Sequence, residues 1–231
     1  MFKYQLSSEL ALQASYEGFM DILKSVAKKV SDNFAGTLKK ITDVTARGIE
    51  IVQTTRWNMV LGSENPVCNE TLHILTFTQG KTILEDILPE IVNTAKTIVL
   101  VHNKTKPISD LPDQSTIDKI REKMTSCMDY SRCEGMSFGP NYSGNAGCNW
   151  TNSNTKWFVD QWLRLAKTGL PQDFIKITDD SNNTDTSPEV VKSVGMAKAF
   201  TKAYGKCISE CAKTILRLAD TCGSRDEYET E

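Results

Sequence analysis

The chain has 231 residues, with 27 basic and 29 acidic side chains, 39% hydrophobic and 24% charged residues. That suffices for one sizeable core or two small ones, and a net charge of −2 argues against a non-specific clamp on nucleic acid, which needs a large excess of Lys and Arg. The two histidines, His73 and His102, starve most acid–base and metal chemistry, and apolar runs such as Ile98-Val99-Leu100-Val101 are too short to span a bilayer.

From Ser7 to about Arg47 the pattern predicts helix. Phe19, Leu23, Val26 and Val30 recur at intervals of four, three and four residues, and Phe34, Leu38 and Ile41 continue the stripe. Lysines interleaved with acids cover the other faces, and Gly36 is the expected place for a bend. A basic face opposite an apolar one suits a membrane surface. The interleaved acids favour ordinary packing within a fold or against a neighbour instead. Residues 49–62 read as either strand or helix, and Ser63-Glu64-Asn65-Pro66 is a turn.

A helix is expected from about Thr82 to His102, with Ile83, Leu84, Ile87, Leu88, Ile91 and Ala95 inward. Pro89 requires a later start or a kink. Ser115 is expected to cap a helix reaching Met128, with Ile117, Ile120, Met124 and Cys127 on one side. Ser131–Asn154 reads as a long irregular loop, rich in Gly, Asn and Ser, whose Phe138, Tyr142 and Trp150 fold onto the surface. A short helix is expected over Thr155–Lys167, ended by Gly169 and Pro171, and Thr178–Thr186 as a polar linker. The last helix carries the strongest signals: Ser187-Pro188-Glu189 at its start, then Tyr204, Ile208, Cys211, Ile215, Leu218 and Cys222 along one seam.

The expected fold is therefore mainly α, a helical bundle with long N- and C-terminal helices and room for a small β element around residues 49–78. The chain divides into an amphipathic N-terminal segment (1–48), a helical core (49–130), the Gly/Asn/Cys-rich loop (131–154), C-terminal helices (155–223) and an acidic tail (224–231).

Seven cysteines, an odd number without a C-x-x-C pair, point to reduced, buried thiols rather than a disulfide framework. Cys127, Cys133 and Cys148, with Cys68, match no zinc-finger spacing. Five N-x-S/T sequons begin at Asn69, Asn103, Asn141, Asn149 and Asn182, and the N-terminus has no apolar leader, so they are expected to carry no sugar. Gly135-Met136-Ser137-Phe138-Gly139 matches the nucleophile-elbow pattern, but no apolar strand is expected before it and both histidines precede Ser137. Asp179, Ser181, Asn183 and Asp185 alternate like calcium ligands, yet Thr184 stands where the loop needs glycine and Val190 where it needs a bidentate Glu. Trp157, Phe158 and Trp162 are expected in the core. No catalytic residue, metal or cofactor is assigned.

Ser7-Ser8-Glu9, the segment Glu17-Gly18-Phe19-Met20-Asp21-Ile22-Leu23-Lys24-Ser25-Val26 and the closing stretch from Cys211 to Cys222 together resemble internal head, or prohead core, proteins of large tailed bacteriophages. The resemblance implies a helical, non-enzymatic protein packed in the capsid interior, trimmed after a Glu. It would contact other virion proteins or itself through Phe19, Leu23, Val26 and Val30 in front and Tyr204, Ile208, Ile215 and Leu218 behind. Outside such a particle the expected place is the cytoplasm, with a membrane-interacting or effector role for the N-terminal helix as the second expectation.

Overall fold

In the computed structural model the described residues are 43–52, 67–68, 71–133, 136–137, 148–179 and 187–222. The helix expected from Ser7 enters this set only at its end, where 43–52 forms helix α1 with Thr45 and Ile49 buried. Phe19, Leu23, Val26 and Val30 lie outside the described residues, as do Gly36, the 224–231 tail and nearly all of the calcium-like stretch.

The long C-terminal helix α7 (Pro188–Cys222) is the axis of the core. Its 35 residues extend roughly 52 Å at 1.5 Å per residue. As expected, Ser187 opens it, the Val191 amide donating to the Ser187 carbonyl at 3.0 Å. Three helices pack against it: α3 (Leu88–His102), α5 (Asn152–Thr168) and α6 (Gln172–Asp179). From Tyr204 to Ala219 α7 is buried apart from a polar stripe of Lys206, Glu210, Lys213 and Arg217, and Ile208, Cys211, Ile215 and Leu218 are fully enclosed. The core draws on residues from Ile49 to Ala219, so segments 49–130, 131–154 and 155–223 share one hydrophobic interior.

Before α3 runs α2 (Phe77–Thr82), joined to it by a π turn over Ile83–Ile87. Thr76 caps α2 through a reciprocal pair with Gln79, so the helix begins five residues earlier than the apolar periodicity indicates. The proline is absorbed without a break. Pro89 has no N–H, and the Leu88 amide just before it reaches back five residues to the Ile83 carbonyl, the wider π spacing. The C-terminus of α3 closes in a Schellman arrangement: the Thr105 amide donates to Leu100 O and the Lys104 amide to Val101 O, both at 2.9 Å.

Helix α4 (Gln114–Cys127) is capped by Asp113 rather than by the expected Ser115, the Asp113 carboxylate accepting from the Thr116 amide at 2.7 Å. That bond holds the Asp113 carboxyl below its ordinary range. A depressed carboxylate stabilises the fold above its unfolded titration range and loses that contribution as the pH falls through its folded value. Asp113→Asn keeps a capping oxygen and removes the titration. Its melting temperature should therefore fall less than that of the parent between pH 7 and pH 3, and identical falls would remove this role.

The region read as an irregular loop contains two short strands. β1 (Val67–Cys68) pairs antiparallel with β4 (Met136–Ser137), and β2 (Leu72–Ile74) pairs antiparallel with β3 (Ser131–Cys133). The register is Val67 opposite Ser137 in the first pair and Leu72 opposite Cys133 in the second. Three residues separate β1 from β2 and two separate β3 from β4, so the two ladders differ in connection length by one residue. The small β element expected near 49–78 exists, and its partner strands come from residues 131–137.

Two expectations are corrected here. Cys133 and Cys148 form a disulfide with Cα atoms 5.7 Å apart, against the reading of the cysteines as reduced thiols. Spacing in sequence hides such a pair, because β3 must first dock on β2 before the two sulfurs meet. Trp150, expected on the surface, is 1% exposed, and its Nε1 donates to Leu75 O at 2.9 Å. With the Phe77 amide donating to Cys148 O at 2.9 Å, this strap closes the end of the β ribbon over the start of α2.

Phe77, Trp150, Trp157 and Phe158 form an edge-to-face chain, the Trp150 and Phe158 centroids 5.0 Å apart. Gly80 allows this approach. A Cβ built there would lie 2.5 Å from Cε2 of the buried Phe158 ring. Gly80→Ala is thus expected to destabilise by about 2 kcal/mol despite the gain in helix propensity. Urea denaturation reads this, and a neutral or stabilising result would mean the ring moves aside freely.

α5 starts at Asn152, capped by Thr151, and stops at Gly169. Gly169 has φ 60° and ψ −164°, a backbone conformation closed to side-chain-bearing residues. The sharp reversal sends the chain into α6, which the apolar periodicity does not predict. Phe174, Ile175 and Ile177 of α6 are buried.

Candidate functional site

Among the described residues a dense polar grouping lies where the β ribbon meets α7. Glu210, Lys213 and Arg217 occupy one face of α7 at spacings of three and four residues. Tyr130, on the connection from α4 to β3, donates its hydroxyl to Glu210, and Lys213 Nζ sits 2.7 Å from the other Glu210 oxygen. The Arg217 guanidinium lies 4.9 Å from the Tyr130 ring centroid and donates to the His73 carbonyl. Partial burial, followed by the bond to Glu210, pushes the Tyr130 hydroxyl up, so it stays a neutral donor at pH 7. These groups are engaged with one another and with backbone. The arrangement fastens the β ribbon to α7, and the His73 side chain itself points outward from β2.

Beneath this latch lie the thiols Cys127, Cys207 and Cys211. Burial pushes Cys207 up to about 12 and raises Cys211 well above the ordinary thiol range. A thiol held protonated is a poor nucleophile. Iodoacetamide at pH 8 should leave Cys207 and Cys211 unmodified in the folded protein and label them fully in denaturant. Peptide mass spectrometry reads both states, and labelling under native conditions would refute the burial. No group of three metal-ligating side chains occurs among the described residues.

Ser137 falls within β4, paired opposite Val67. Residues 138–147, which would have to form the turn and helix of a nucleophile elbow, lie outside the described residues.

One surface feature remains open. α4 packs on the π turn and stands apart from the middle of α7, leaving a groove of about 330 Å³. Ile117, Ile120 and Met124 form one wall, and Ala199, Phe200 and Ala203 form the other. The lips carry only cations: Arg121 on α4 and Lys202 and Lys206 on α7. Arg121 is paired with Asp118 at 2.9 Å. Lys202 and Lys206 are exposed and form no ion pair with any described residue.

The four interaction residues expected on α7 are elsewhere. Tyr204, Ile208, Ile215 and Leu218 are each at most 2% exposed, and the Tyr204 hydroxyl donates to Leu165 O at 2.8 Å. The seam is occupied by α3, α5 and α6 of the same chain, so these side chains offer nothing to an outside partner. Sequence reading missed the groove, although a signal was present. Residues 190–209 contain four lysines and no acid, in a chain of net charge −2.

Compared with protein-family models, with curated proteins and with solved structures, the chain shows no match.

Proposed function

We propose that this chain is a non-enzymatic interaction protein and that it docks a partner in the groove between α4 and α7. The observation that carries this reading is an apolar trough, with the nearly buried Ile120 and Phe200 at its base, Met124, Ala199 and Ala203 more accessible beside them, and a lip of lysines that have no ion pair among the described residues. The polar cluster around Tyr130 and Glu210 favours the non-enzymatic part, since its groups hold the fold together. Ala203→Trp fills the groove from a partly buried position at the edge of the core, and it should abolish capture of the natural partner while circular dichroism shows the helical fold retained. Undiminished capture by this variant would remove the groove from the function.

A finer form of the reading places the protein inside a tailed-phage head, on the resemblance of segments 7–26 and 211–222 to prohead core proteins. The Cys133–Cys148 bond weighs against that setting, because disulfides persist in oxidising compartments and are rare among reduced cytosolic thiols. Mass spectrometry of purified particles tests it, and absence of the chain from virions would sink it. No helix among the described residues is long and apolar enough to cross a membrane. The membrane-surface alternative rests on the stripe of Phe19 and Leu23, and co-sedimentation with anionic vesicles is its test.

A further inference from the structure

We infer that the groove takes an acidic amphipathic helix, its apolar row seated on Ile120, Met124 and Phe200 and its carboxylates beside Lys198, Lys202 and Lys206. The inference rests on the groove being a docking surface and adds the chemistry of the occupant.

Charge comes first. Over residues 190–209 α7 carries Lys192, Lys198, Lys202 and Lys206 with no Asp or Glu, so its solvent face is cationic while the whole chain is slightly acidic. Among the described residues neither lip lysine, Lys202 or Lys206, nor Lys198 one turn before them, has a carboxylate partner. Across the groove Arg121 is already neutralised by Asp118, and Glu122 follows it. The attraction for an anion is therefore one-sided, on the α7 lip, and it orients whatever binds.

Spacing then separates the kinds of anion. Lys198, Lys202 and Lys206 recur every four residues, which on a helix places them roughly 6 Å apart over roughly 12 Å. A second helix laid along α7 repeats its own i, i+4 rows at the same interval, so a row of Asp or Glu meets each lysine in turn. Its neighbouring apolar row then falls into the trough, the helix-in-groove mode of recognition. A fatty acid brings one carboxylate to a row of three cations and leaves the rest unmatched. The trough of about 330 Å³ has room for apolar side chains from two or so helical turns.

The test uses the full chain and a fluorescein-labelled 18-residue peptide with Leu at i, i+3, i+4 and i+7 and Glu on the flanking row. Anisotropy should show saturable binding that weakens with added salt. Lys202→Glu/Lys206→Glu should reduce the affinity about tenfold or more, as loss and reversal of two exposed pairs would. Both lysines are exposed, so the variant should keep the parent melting temperature. A peptide with Lys in place of Glu should not bind. Absence of saturable binding by the parent would overturn the inference, as would equal affinity for the Lys peptide or indifference to the double reversal. Oleate and anionic vesicles are run alongside. If they bind in a manner blocked by Ala203→Trp while the acidic peptide does not, the peptide occupant is wrong and the groove as a docking surface stands. If Ala203→Trp affects neither ligand nor natural partner, the groove itself is wrong.

Discussion

Trp162→Ala should destabilise the protein by about 4 kcal/mol, in the range of full aromatic truncations in a packed core. Trp162 is fully buried, between α7 and the close approach of α1. Its Nε1 donates to the Ile208 carbonyl at 3.0 Å, on the buried side of α7. Removing the indole therefore opens a cavity and deletes a buried bond from α5 to α7. Trp162→Phe separates the two effects. It retains most of the ring and loses the donor, and should lose about 1.5 kcal/mol, the hydrogen bond together with some volume. Urea unfolding followed by circular dichroism gives both values. A loss below 1 kcal/mol for the alanine variant would mean that α5 is not held against α7 as described.

Cys133→Ser/Cys148→Ser should lower stability by about 3 kcal/mol, the loop-closure value for a bridge with a separation near 15 residues. Both cysteines are replaced together so that no lone thiol remains. The effect should concentrate where the bridge acts: it holds β3, which pairs with β2, to the strap that carries Trp150 into the core. Reductant should bring the parent to the melting temperature of the variant and leave the variant unmoved. A parent that melts identically with and without reductant would show that the bond does not form or does not matter. The same pair of melts bears on compartment, since a protein that needs this bond belongs in an oxidising one.

Much of the helical content was legible because it depends on local periodicity. The inward residues of α3, the start of α7 at Ser187-Pro188-Glu189 and the stop at Gly169 are each set by neighbours within a turn or two. Boundaries shifted where a side chain competed for the cap. Asp113 outdid Ser115 on α4, and the Thr76–Gln79 pair extended the helix backward over Phe77–Thr82. Helix α6 escaped notice because eight residues give too short a stripe to separate from loop. The π turn at Ile83–Ile87 has no composition of its own. It is visible only as the solution to placing Pro89 near the beginning of α3.

By itself the sequence determined that this is a mainly helical chain with an apolar seam along its last helix, and that one twenty-residue stretch of that helix is purely cationic. Whether the seam faces a partner or the chain's own core is not a local property. α3, α5 and α6 come to α7 from separate stretches of the chain, α3 from before α4 and the β ribbon, and their joint packing buries Tyr204, Ile208, Ile215 and Leu218. The same holds for Cys133 and Cys148, which meet because β3 pairs with β2 across about sixty residues. The groove, too, is a tertiary decision: it is the space left where α4 settles on the π turn instead of closing on Phe200 and Ala203. Burial of the seam leaves Lys202 and Lys206, without an ion pair among the described residues, on the lip of that space, where the proposed docking would take place.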